Sequence, residues 1–396
     1  MYRKRLPRIW GSFLLIFLLG TVLMVGMLGT RKPAHAIGVA DNWPMYLYDI
    51  GHSGFNRAEN IITPSSAGSL GLQWSIHEGS TISTQAVVAN GIVYWGSWDG
   101  LEHATYMNGA PAWSANLGTA PTNCGPPLGI LSTATVAYVN IKGRFTPVDF
   151  VGSASDRFYA LNALTGAIIW QTLLGTPSDQ VIWSSPTYYK GSVYISTASN
   201  DCPLIQAKVF QLNASTGAIQ HTFNVVPNGC VGAGVWGSIT IDTLNGTLYF
   251  VTGNGGACSQ AETMADAIVQ LTASNLTFLR SWQVPPAQQD GDLDFGSTPT
   301  LFTATIGGRA HRMLGAASKN GIYYAFDEAN ISAGPVWTVT IARSGFAPQF
   351  GDGSISPSAW DGTNLYVGGG NTTIDGQGCS SSLRALNPAT GAIIWQ

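Results

Sequence analysis

A short hairpin motif returns along this chain at similar intervals. The segments ALNALTGAIIW (160–170), QLNASTGAIQH (211–221) and ALNPATGAIIW (385–395) nearly coincide, and weaker copies end at Trp282 and Trp337. Each full copy has two runs of strand-forming residues around an Asn that can hydrogen-bond into a turn and a Gly that accepts a positive φ. The motif therefore predicts a strand, a tight turn and a second strand, repeated along the chain.

The spacing of this motif restricts the fold. Its copies end at positions 74, 113, 170, 221, 282, 337 and 395, so the successive gaps are 39, 57, 51, 61, 55 and 58 residues. Strand-rich repeats of about 40–50 residues are typical of β-propeller blades, and longer loops would account for the larger gaps. Only 10% of the residues are charged and 48 are Gly, which disfavours long surface helices. The predicted fold class is all-β, a β-propeller of four-stranded blades.

The number of blades leaves two alternatives. Six blades are predicted, over residues 80–118, 126–175, 180–227, 234–285, 292–342 and 351–396. Residues 70–77 (LGLQWSIH) have the pattern of the last strand of a further blade whose partner strands are absent from the sequence. Because an open sheet edge is unfavourable, we expect a truncated sequence whose full form has seven or eight blades, with a strand from 37–79 closing the last one. The alternative is a ring of six blades with 70–77 packed outside it.

The first 36 residues have the pattern of an export signal. Basic residues precede an uncharged apolar run over 13–29, and Ala34 and Ala36 fit the small-x-small pattern of a cleavage site. The alternative is an uncleaved membrane anchor over 11–29, since the run approaches the length that crosses a bilayer. Both alternatives export the remaining residues, so we expect an extracellular or cell-envelope protein on the periplasmic side.

Cysteines and charge add further expectations. The five cysteines are Cys124, Cys202, Cys230, Cys258 and Cys379. Outside the cytoplasm such residues form disulfides, and the preferred pair is Cys202 with Cys230, which flank one repeat. No CxxCH motif occurs, so covalent haem is not predicted. The net charge of −3 gives no indication of a nucleic-acid partner.

The TGxxxW end of the hairpin resembles the tryptophan-docking motif of the pyrroloquinoline quinone (PQQ) propellers, a family with quinoprotein alcohol and polyvinyl-alcohol dehydrogenases. Segment 43–56 (WPMYLYDIGHSGFN) is similar to their opening segment, and the resemblance covers nearly the whole chain after residue 40. In that family each docking Trp packs between blades, which suits a large apolar ring with one N–H donor. The resemblance implies oxidation of an alcohol or polyol, with PQQ and calcium as cofactors in the propeller channel.

Two cofactor contacts are implied in VWGSITIDTLNGTLYFVTGN (235–254). A similar run in the family carries a Trp that stacks under the quinone and an Asn that ligates calcium, and these positions are Trp236 and Asn254 here. Stacking of an indole on a flat tricycle is favourable, and an amide oxygen is a hard ligand that suits calcium. The alternative is that Trp236 fills a gap between blades and Asn254 caps a turn.

Two catalytic residues are implied in the next blade. DGDLDFGSTPTL (290–301) resembles the family segment with the catalytic Asp, and Asp294 takes that position, with Leu293 where the family has Trp. In SKNGIYYAFD, Lys319 corresponds to a cation that contacts the quinone oxygens. The Asp would also ligate the metal and remove the proton of the alcohol, and the Lys would stabilise the developing oxyanion. The alternative is a salt pair in surface loops.

Three further residues enter this prediction. Family enzymes have two adjacent bridged cysteines near the quinone, where this chain has the single Cys124, which becomes the predicted quinone contact. The calcium-ligating Glu of the family has no clear match, and the nearest candidate for a third metal ligand is Asp156. Asp292 is a rival base, although strand alternation would direct it to the opposite face from Asp294.

Two functions are therefore predicted. The matched residues favour an exported quinoprotein-like dehydrogenase for a small alcohol or polyol, which would pass its electrons to a separate acceptor. The departures from the family pattern favour a non-catalytic envelope propeller that binds a protein or polysaccharide through its loops, because this fold also serves as a scaffold. In either case, contact with a membrane is expected only through the N-terminal segment.

Overall fold

The computed structural model of this chain describes residues 42–77, 79–123, 125–175, 180–200, 202–256, 258–289 and 291–396. The predicted leader or anchor over 1–36 and the predicted quinone contact Cys124 lie outside these residues. Within the described ranges, no helix combines the length and the apolar character that are needed to span a membrane.

The described residues form six four-stranded antiparallel sheets, numbered here as blades 1–6 in chain order. Blade 1 contains β1 (Val87–Ala89), β2 (Ile92–Gly96), β3 (Leu101–Tyr106) and β4 (Pro111–Asn116). A small hairpin of β5 (Ala120–Thr122) and β6 (Gly125–Leu128) follows. Blade 2 contains β7 (Thr135–Ile141), β8 (Arg144–Gly152), β9 (Arg157–Asn162) and β10 (Ile168–Leu173), and blade 3 contains β11 (Thr187–Tyr189), β12 (Ser192–Ser196), β13 (Lys208–Asn213) and β14 (Ile219–Asn224).

The second half of the chain repeats this arrangement. Blade 4 contains β15 (Thr240–Asp242), β16 (Thr247–Val251), β17 (Ala267–Thr272) and β18 (Phe278–Gln283), and blade 5 contains β19 (Thr300–Ile306), β20 (Arg309–Ala317), β21 (Ile322–Asp327) and β22 (Trp337–Thr340). Blade 6 contains β23 (Ala359–Trp360), β24 (Leu365–Gly369), β27 (Ser382–Leu386) and β28 (Ile393–Trp395), with the hairpin of β25 (Thr372–Ile374) and β26 (Gln377–Cys379) inserted. Short 3-10 helices cover Ala67–Ser69, Pro286–Gln288, Glu328–Ala333 and Pro348–Phe350. Each blade lies inside its predicted boundaries, so the predicted propeller of four-stranded blades is confirmed.

Tryptophans at the ends of the repeated hairpins connect neighbouring blades, as the motif predicts. Their indole N–H groups donate to backbone carbonyls of the following blade, from Trp113 to Ala163, from Trp170 to Ala214 and from Trp337 to Pro388. The motif Gly of that blade lies directly against the ring, since a Cβ on Gly166 would be 2.6 Å from a ring carbon of Trp113. This Gly is therefore needed for the close approach as well as for the positive φ of 71° in the turn.

Residues 70–77 match neither sequence alternative in full. They form no strand, although Trp74 docks on blade 1 as the other motif tryptophans dock on theirs. Its Nε1 donates to the carbonyl of Met107 at 2.9 Å, and a Cβ on Gly109 would lie 2.9 Å from its ring. The docking contact of a blade edge is thus present here without the strand.

The segment over 42–56 links several blades by backbone hydrogen bonds. Trp43 pairs with Val88 of blade 1. Carbonyls of the segment then accept from the amides of later blades, namely Pro44 from Val136, Ile50 from Ile241, Gly51 from Leu301 and Ser53 from Trp360. All of these partner residues lie in the first strands of their blades. The segment therefore connects the first strands of blades 1, 2, 4, 5 and 6.

One seam between blades contains two buried acids. Glu102 lies two residues before Ala104 on β3, so both face the same side of the sheet, and Ala104 packs against blade 2. Asp149 likewise lies two residues before Val151 on β8, and Val151 packs against blade 1. The same two register positions hold Phe158 and Val193 between blades 2 and 3, Val209 and Leu248 between blades 3 and 4, Ile268 and Leu314 between blades 4 and 5, and Tyr323 and Leu365 between blades 5 and 6. The seam between blades 1 and 2 therefore has two carboxyls where the other seams have apolar or aromatic side chains.

These two acids are fully buried, and their four carboxyl oxygens accept no hydrogen bond from any described residue. Burial raises the pKa of Asp149 to about 8. Burial also raises the pKa of Glu102 well above its usual value, and the neighbouring charge of Asp149 adds to the effect. The pair is therefore held in its protonated form over a range in which exposed carboxyls are ionised.

The predicted disulfide between Cys202 and Cys230 is wrong. Cys230 is bonded to Cys258, with the two Cα atoms 5.2 Å apart. The reason is local, because the segments that precede β15 and follow β16 run side by side and bring these two residues together. Among the described cysteines, Cys379 is free.

Candidate functional site

A cavity of about 630 Å³ is formed by blades 3–6. Blade 3 contributes Trp183, Ala198, Ser199 and Asn200, blade 4 contributes Gly234, Trp236, Gly253 and Asn254, blade 5 contributes Asp292, Asp294 and Lys319, and blade 6 contributes Phe346, Pro348, Gln349 and Ile355. Every one of these residues lies either before the first strand of its blade or after the second strand. Since these two places adjoin in an antiparallel meander, the repeated topology brings the loops of four blades to one location.

The structure brings four of the predicted site residues together in this cavity, namely Trp236, Asn254, Asp294 and Lys319. Asp156 does not join them. It is fully buried in the tight turn between β8 and β9, with a positive φ of 55°, and its backbone carbonyl accepts from Leu174. Asp156 is not among the residues that line the cavity, and its role as a metal ligand stays a prediction.

Asp294 is the most enclosed carboxylate of the cavity, with 5% of its side chain exposed. Its Oδ2 accepts a hydrogen bond from Nε1 of Trp236 at 3.1 Å. A Cβ on Gly253 would lie 2.6 Å from the same oxygen, so this carboxylate requires Gly at position 253. Burial raises the pKa of Asp294 to about 8, against the opposing effect of the Lys319 charge. Asp294 can thus exchange a proton in the neutral to mildly alkaline range.

Lys319 is the cation of the cavity. Its Nζ lies 2.7 Å from Oδ1 of Asp294 and donates a hydrogen bond to Oδ1 of Asp292 at 2.6 Å. The contact with Asp294 is an ion contact without aligned hydrogen-bond geometry, since that oxygen has no hydrogen bond. The same Nζ lies 5.2 Å from the ring centre of Trp236, within the range of a cation–π interaction. Burial lowers the pKa of Lys319, but the two carboxylates outweigh burial and raise it overall.

Asp292 lies on the same side as Asp294, which contradicts the expectation from strand alternation. Both carboxylates contact Nζ of Lys319. Alternation fails because this segment is irregular, with a single β-bridge at Phe295, and β19 begins only at Thr300. Asp292 is more accessible, with 38% of its side chain exposed. The geometry therefore keeps Asp292 as a rival base in the same cavity.

A third carboxyl near Lys319 has no signal in the sequence motifs. Asp266 follows the loop after β16, and its amide donates to the carbonyl of Gly253 at 2.9 Å. Burial and, to a smaller extent, the charge of Asp292 raise its pKa to about 6, against the opposing effect of the Lys319 charge. Asp266 precedes an apolar strand, as do many acids that end a turn, so only the fold reveals its closeness to the charged cluster.

Several other residues that line the cavity are apolar. Trp183 is one of them, and its Nε1 donates to Oδ1 of Asn200 at 3.0 Å. Phe346, Pro348 and Ile355 come from the long connection between β22 and β23. The base of this connection is closed by an ion pair between Arg343 and Asp352 at 2.6 Å. The cavity thus combines a cluster of charged side chains with apolar side chains, which is typical of a small-molecule site.

The residues present fit a flat acidic cofactor with a hard cation. Asn254 is half-buried in the cavity wall, and its side-chain amide has no hydrogen-bond partner among the described residues. An amide oxygen and a carboxylate such as Asp294 are the oxygen donors that calcium prefers. Lys319 and the indole of Trp236 offer a charge and an aromatic surface for a quinone with acidic groups. Two protein oxygens leave most of the coordination shell of calcium to the cofactor and water.

Known proteins resemble the chain over the same region. The PQQ_2 family model, described as "Outer membrane protein assembly factor BamB", matches residues 107–263. The quinohemoprotein alcohol dehydrogenase of Comamonas testosteroni is 23% identical over 73% of this chain and 45% of its own length. The polyvinylalcohol dehydrogenase of Sphingopyxis sp. (strain 113P3) is 22% identical over 98% of this chain and 63% of its own length. The chain thus spans less than half of the length of the quinohemoprotein relatives.

The fold is shared as well. The crystal structure of the Comamonas testosteroni quinohemoprotein alcohol dehydrogenase superposes with a TM-score of 0.68 and 18% sequence identity, and the match covers 89% of this chain and 66% of that chain. Similarity at this identity concerns the architecture alone. Together with the sequence matches, it confirms the resemblance of the repeated hairpins to the PQQ-type propellers.

Proposed function

We propose that this chain acts as a quinoprotein-type dehydrogenase that oxidises an alcohol or polyol with PQQ and calcium held in the cavity of blades 3–6. One observation carries the proposal. Trp236, Asn254, Asp294 and Lys319 come from four separate segments, and all four line one cavity, in which Lys319 contacts Asp294 directly. The blade topology brings these loops together, and the direct contacts of Asp294 with Lys319 and with Trp236 add a charged and aromatic cluster to that convergence.

The cofactor would be held by residues of three kinds. Trp236 would support the tricycle, Lys319 would bind its acidic oxygens, and Asn254 and Asp294 would ligate calcium. Bound PQQ would supply the oxidant that accepts two electrons when a C–H and an O–H bond of the alcohol are broken. The family resemblance of the chain to quinoprotein alcohol dehydrogenases supports this choice of cofactor.

Asp294 would take the proton of the alcohol hydroxyl. It is suited to this role because its carboxylate is enclosed and its pKa of about 8 makes it a stronger base than an ordinary Asp. The N–H of Trp236 fixes the orientation of Oδ2. Lys319 lies beside the same carboxylate, and its positive charge would stabilise negative charge that develops on the reacting oxygens.

The substrate and the electron acceptor are proposed from chemistry. The apolar side chains of Trp183, Phe346 and Ile355 would receive the carbon skeleton of the alcohol, and the hydroxyl would point to Asp294. A separate electron acceptor would reoxidise the cofactor. We also propose that the protein acts outside the cytoplasm, as the pattern of the first 36 residues predicts.

A second candidate function is a non-catalytic scaffold in the cell envelope. It is favoured by the family model that matches 107–263, whose description is that of an outer membrane assembly factor. Such a protein would use its loops to bind a protein or polysaccharide, and the cavity would be incidental. The two functions differ in one measurable property, which is specific affinity for PQQ.

The test is titration of the purified protein with PQQ in the presence of calcium, followed by dye-linked oxidation of a panel of alcohols. Quenching of tryptophan fluorescence and a calcium-dependent rise in melting temperature are expected. Asn254→Ala should abolish the calcium dependence, whereas Asn60→Ala, at an exposed position outside the cavity lining, should retain it. Absence of quinone binding by the wild-type protein would overturn the dehydrogenase and leave the scaffold.

A further inference from the structure

Residues 252–256 of the glycine-rich run TGNGGAC form a two-stranded ladder with residues 230–236. The amide of Gly253 donates to the carbonyl of Gly234 at 2.8 Å, and the amide of Ala233 donates to the carbonyl of Asn254 at 2.7 Å. Further out, Gly232 and Gly255 form a β-bridge. The Cys230–Cys258 disulfide then closes the outer end of the ladder.

The ladder depends on glycine because its two backbones are unusually close. A Cβ on Gly256 would lie 2.5 Å from the carbonyl oxygen of Val231, and a Cβ on Gly232 would lie 2.6 Å from the amide nitrogen of Gly256. Gly232 also has a positive φ of 108°. Glycine permits this approach but leaves the chain with high conformational freedom. Such a run needs an additional constraint to hold one conformation.

The two halves of the ladder carry the cofactor contacts of the proposed function. Gly234 and Trp236 are at the inner end of one half, and Gly253 and Asn254 are at the inner end of the other. Neither half belongs to a strand of blade 4, because β15 begins at Thr240 and β16 ends at Val251. The covalent bond at the outer end is therefore the strongest connection between the halves outside the blade itself.

We propose that the Cys230–Cys258 disulfide is a positioning element, which fixes the separation of Asn254 and Trp236 and thereby makes the cavity ready to bind a calcium–quinone pair. The identity of the ligand rests on the proposed function, but the restraint on the ladder does not. With the disulfide absent, the glycine-rich halves would separate more often, and ligand binding would have to restore their register.

The test uses the full chain in its exported form, with Cys230 and Cys258 both replaced by Ser. PQQ and calcium are titrated by tryptophan fluorescence and calorimetry at a temperature where the variant is fully folded. We expect the Kd of calcium in the presence of PQQ to rise at least about tenfold, the usual effect of losing a residue that orients a metal ligand. Gly256→Ala, which forces the ladder apart with the disulfide intact, should produce a change in the same direction.

Two controls separate positioning from general stability. Cys379→Ser removes a free thiol and should leave binding unchanged. Trp113→Phe removes a hydrogen bond in the distant seam between blades 1 and 2. It should lower the melting temperature without raising the Kd of calcium. An equal loss of affinity in Trp113→Phe would reduce the disulfide to a merely stabilising role and overturn the inference.

Amide hydrogen exchange tests the positioning role of the disulfide without any bound ligand. In the protein without PQQ, the amides of Ala233 and Gly253 should exchange at least about tenfold faster after the double Cys→Ser change, because local opening controls their exchange. Unchanged exchange, or wild-type affinity for calcium in the double variant, would refute the positioning role. If the wild-type protein fails to bind PQQ while exchange accelerates as expected, the proposed function fails and the positioning role of the disulfide stands.

Discussion

The indole N–H of Trp236 donates a hydrogen bond to Oδ2 of Asp294 at 3.1 Å. This bond joins the proposed quinone support to the proposed base, and it favours the ionised form of the carboxylate. Lys319 favours the same form from the other oxygen. The reactivity of Asp294 therefore depends on a balance between burial, which raises its pKa, and the Lys319 charge and the Trp236 hydrogen bond, which lower it.

Trp236→Phe tests this balance. Wild-type kcat/KM should increase with pH as Asp294 becomes ionised, and calcium bound at this carboxylate should place the midpoint below the pKa of about 8 that burial gives the metal-free protein. The Phe variant keeps an aromatic ring but loses the N–H donor, so the midpoint of its pH profile should move to higher pH. Trp183→Phe is the matched control, since its indole bonds to Asn200. An unshifted midpoint in Trp236→Phe would mean that Asp294 does not control the profile.

The two neighbouring acids are distinguished by Asp294→Asn and Asp292→Asn. Asp294 is enclosed and bonded to Trp236, whereas Asp292 is more exposed and has only the contact with Lys319. We expect Asp294→Asn to lower kcat at least about 10²-fold, the usual loss for a general base, with PQQ still bound by absorbance. Asp292→Asn should retain most of the activity. The reverse order would transfer the role of base to Asp292.

Much of the architecture could be predicted because its signals are local and repeated. A turn Gly, an Asn and a docking Trp occur within each short hairpin, so each copy supports the others. Segment 291–297 is an exception. It is irregular, so the alternation that would separate Asp292 from Asp294 does not apply.

The candidate site was partly predictable for a related reason. Trp236, Asn254, Asp294 and Lys319 follow from motif resemblance, but Asp266 and Phe346 lie in loops without a motif and reach the site only through the tertiary arrangement. The Cys230–Cys258 pair depends on two loops of one blade that lie side by side. Spacing in the sequence does not encode that contact.

Lys319→Gln removes the only described cation that contacts both acids of the site. Without the charge of Lys319, the pKa of Asp294 would rise, so this carboxyl would stay protonated to higher pH. Negative charge on the reacting oxygens would also lose its stabilisation. We expect kcat to fall about 10²–10³-fold at neutral pH, as for loss of an electrostatic donor in other enzymes. Partial recovery at alkaline pH would reflect ionisation of Asp294. Lys190→Gln, on an exposed turn, is the control, and equal activity of the two variants would exclude Lys319 from the reaction.

The acid pair between blades 1 and 2 predicts how stability depends on pH. The pKa of Asp149 is raised from 3.8 to about 8 in the folded protein. Between these values the folded state retains a proton that the unfolded state has lost. The contribution of Asp149 to the free energy of unfolding should therefore be largest below about pH 4. It should fall as pH rises to about 8, by up to about 1.4 kcal/mol per pH unit for each retained proton.

Two variants separate the contribution of Asp149 to stability from the contributions of the other acids. Asp149→Val introduces the residue that blade 3 has at the same register position, Val193, and should flatten the decline and raise stability near pH 8. Chemical denaturation of the wild-type and variant proteins at pH 5, 6, 7 and 8 measures the difference. Asp327→Asn on blade 5, where the acid is partly exposed beside His311, is the matched control for a lost carboxylate. If wild type and Asp149→Val decline in parallel, Asp149 does not retain an extra proton in the folded protein, and the prediction is overturned.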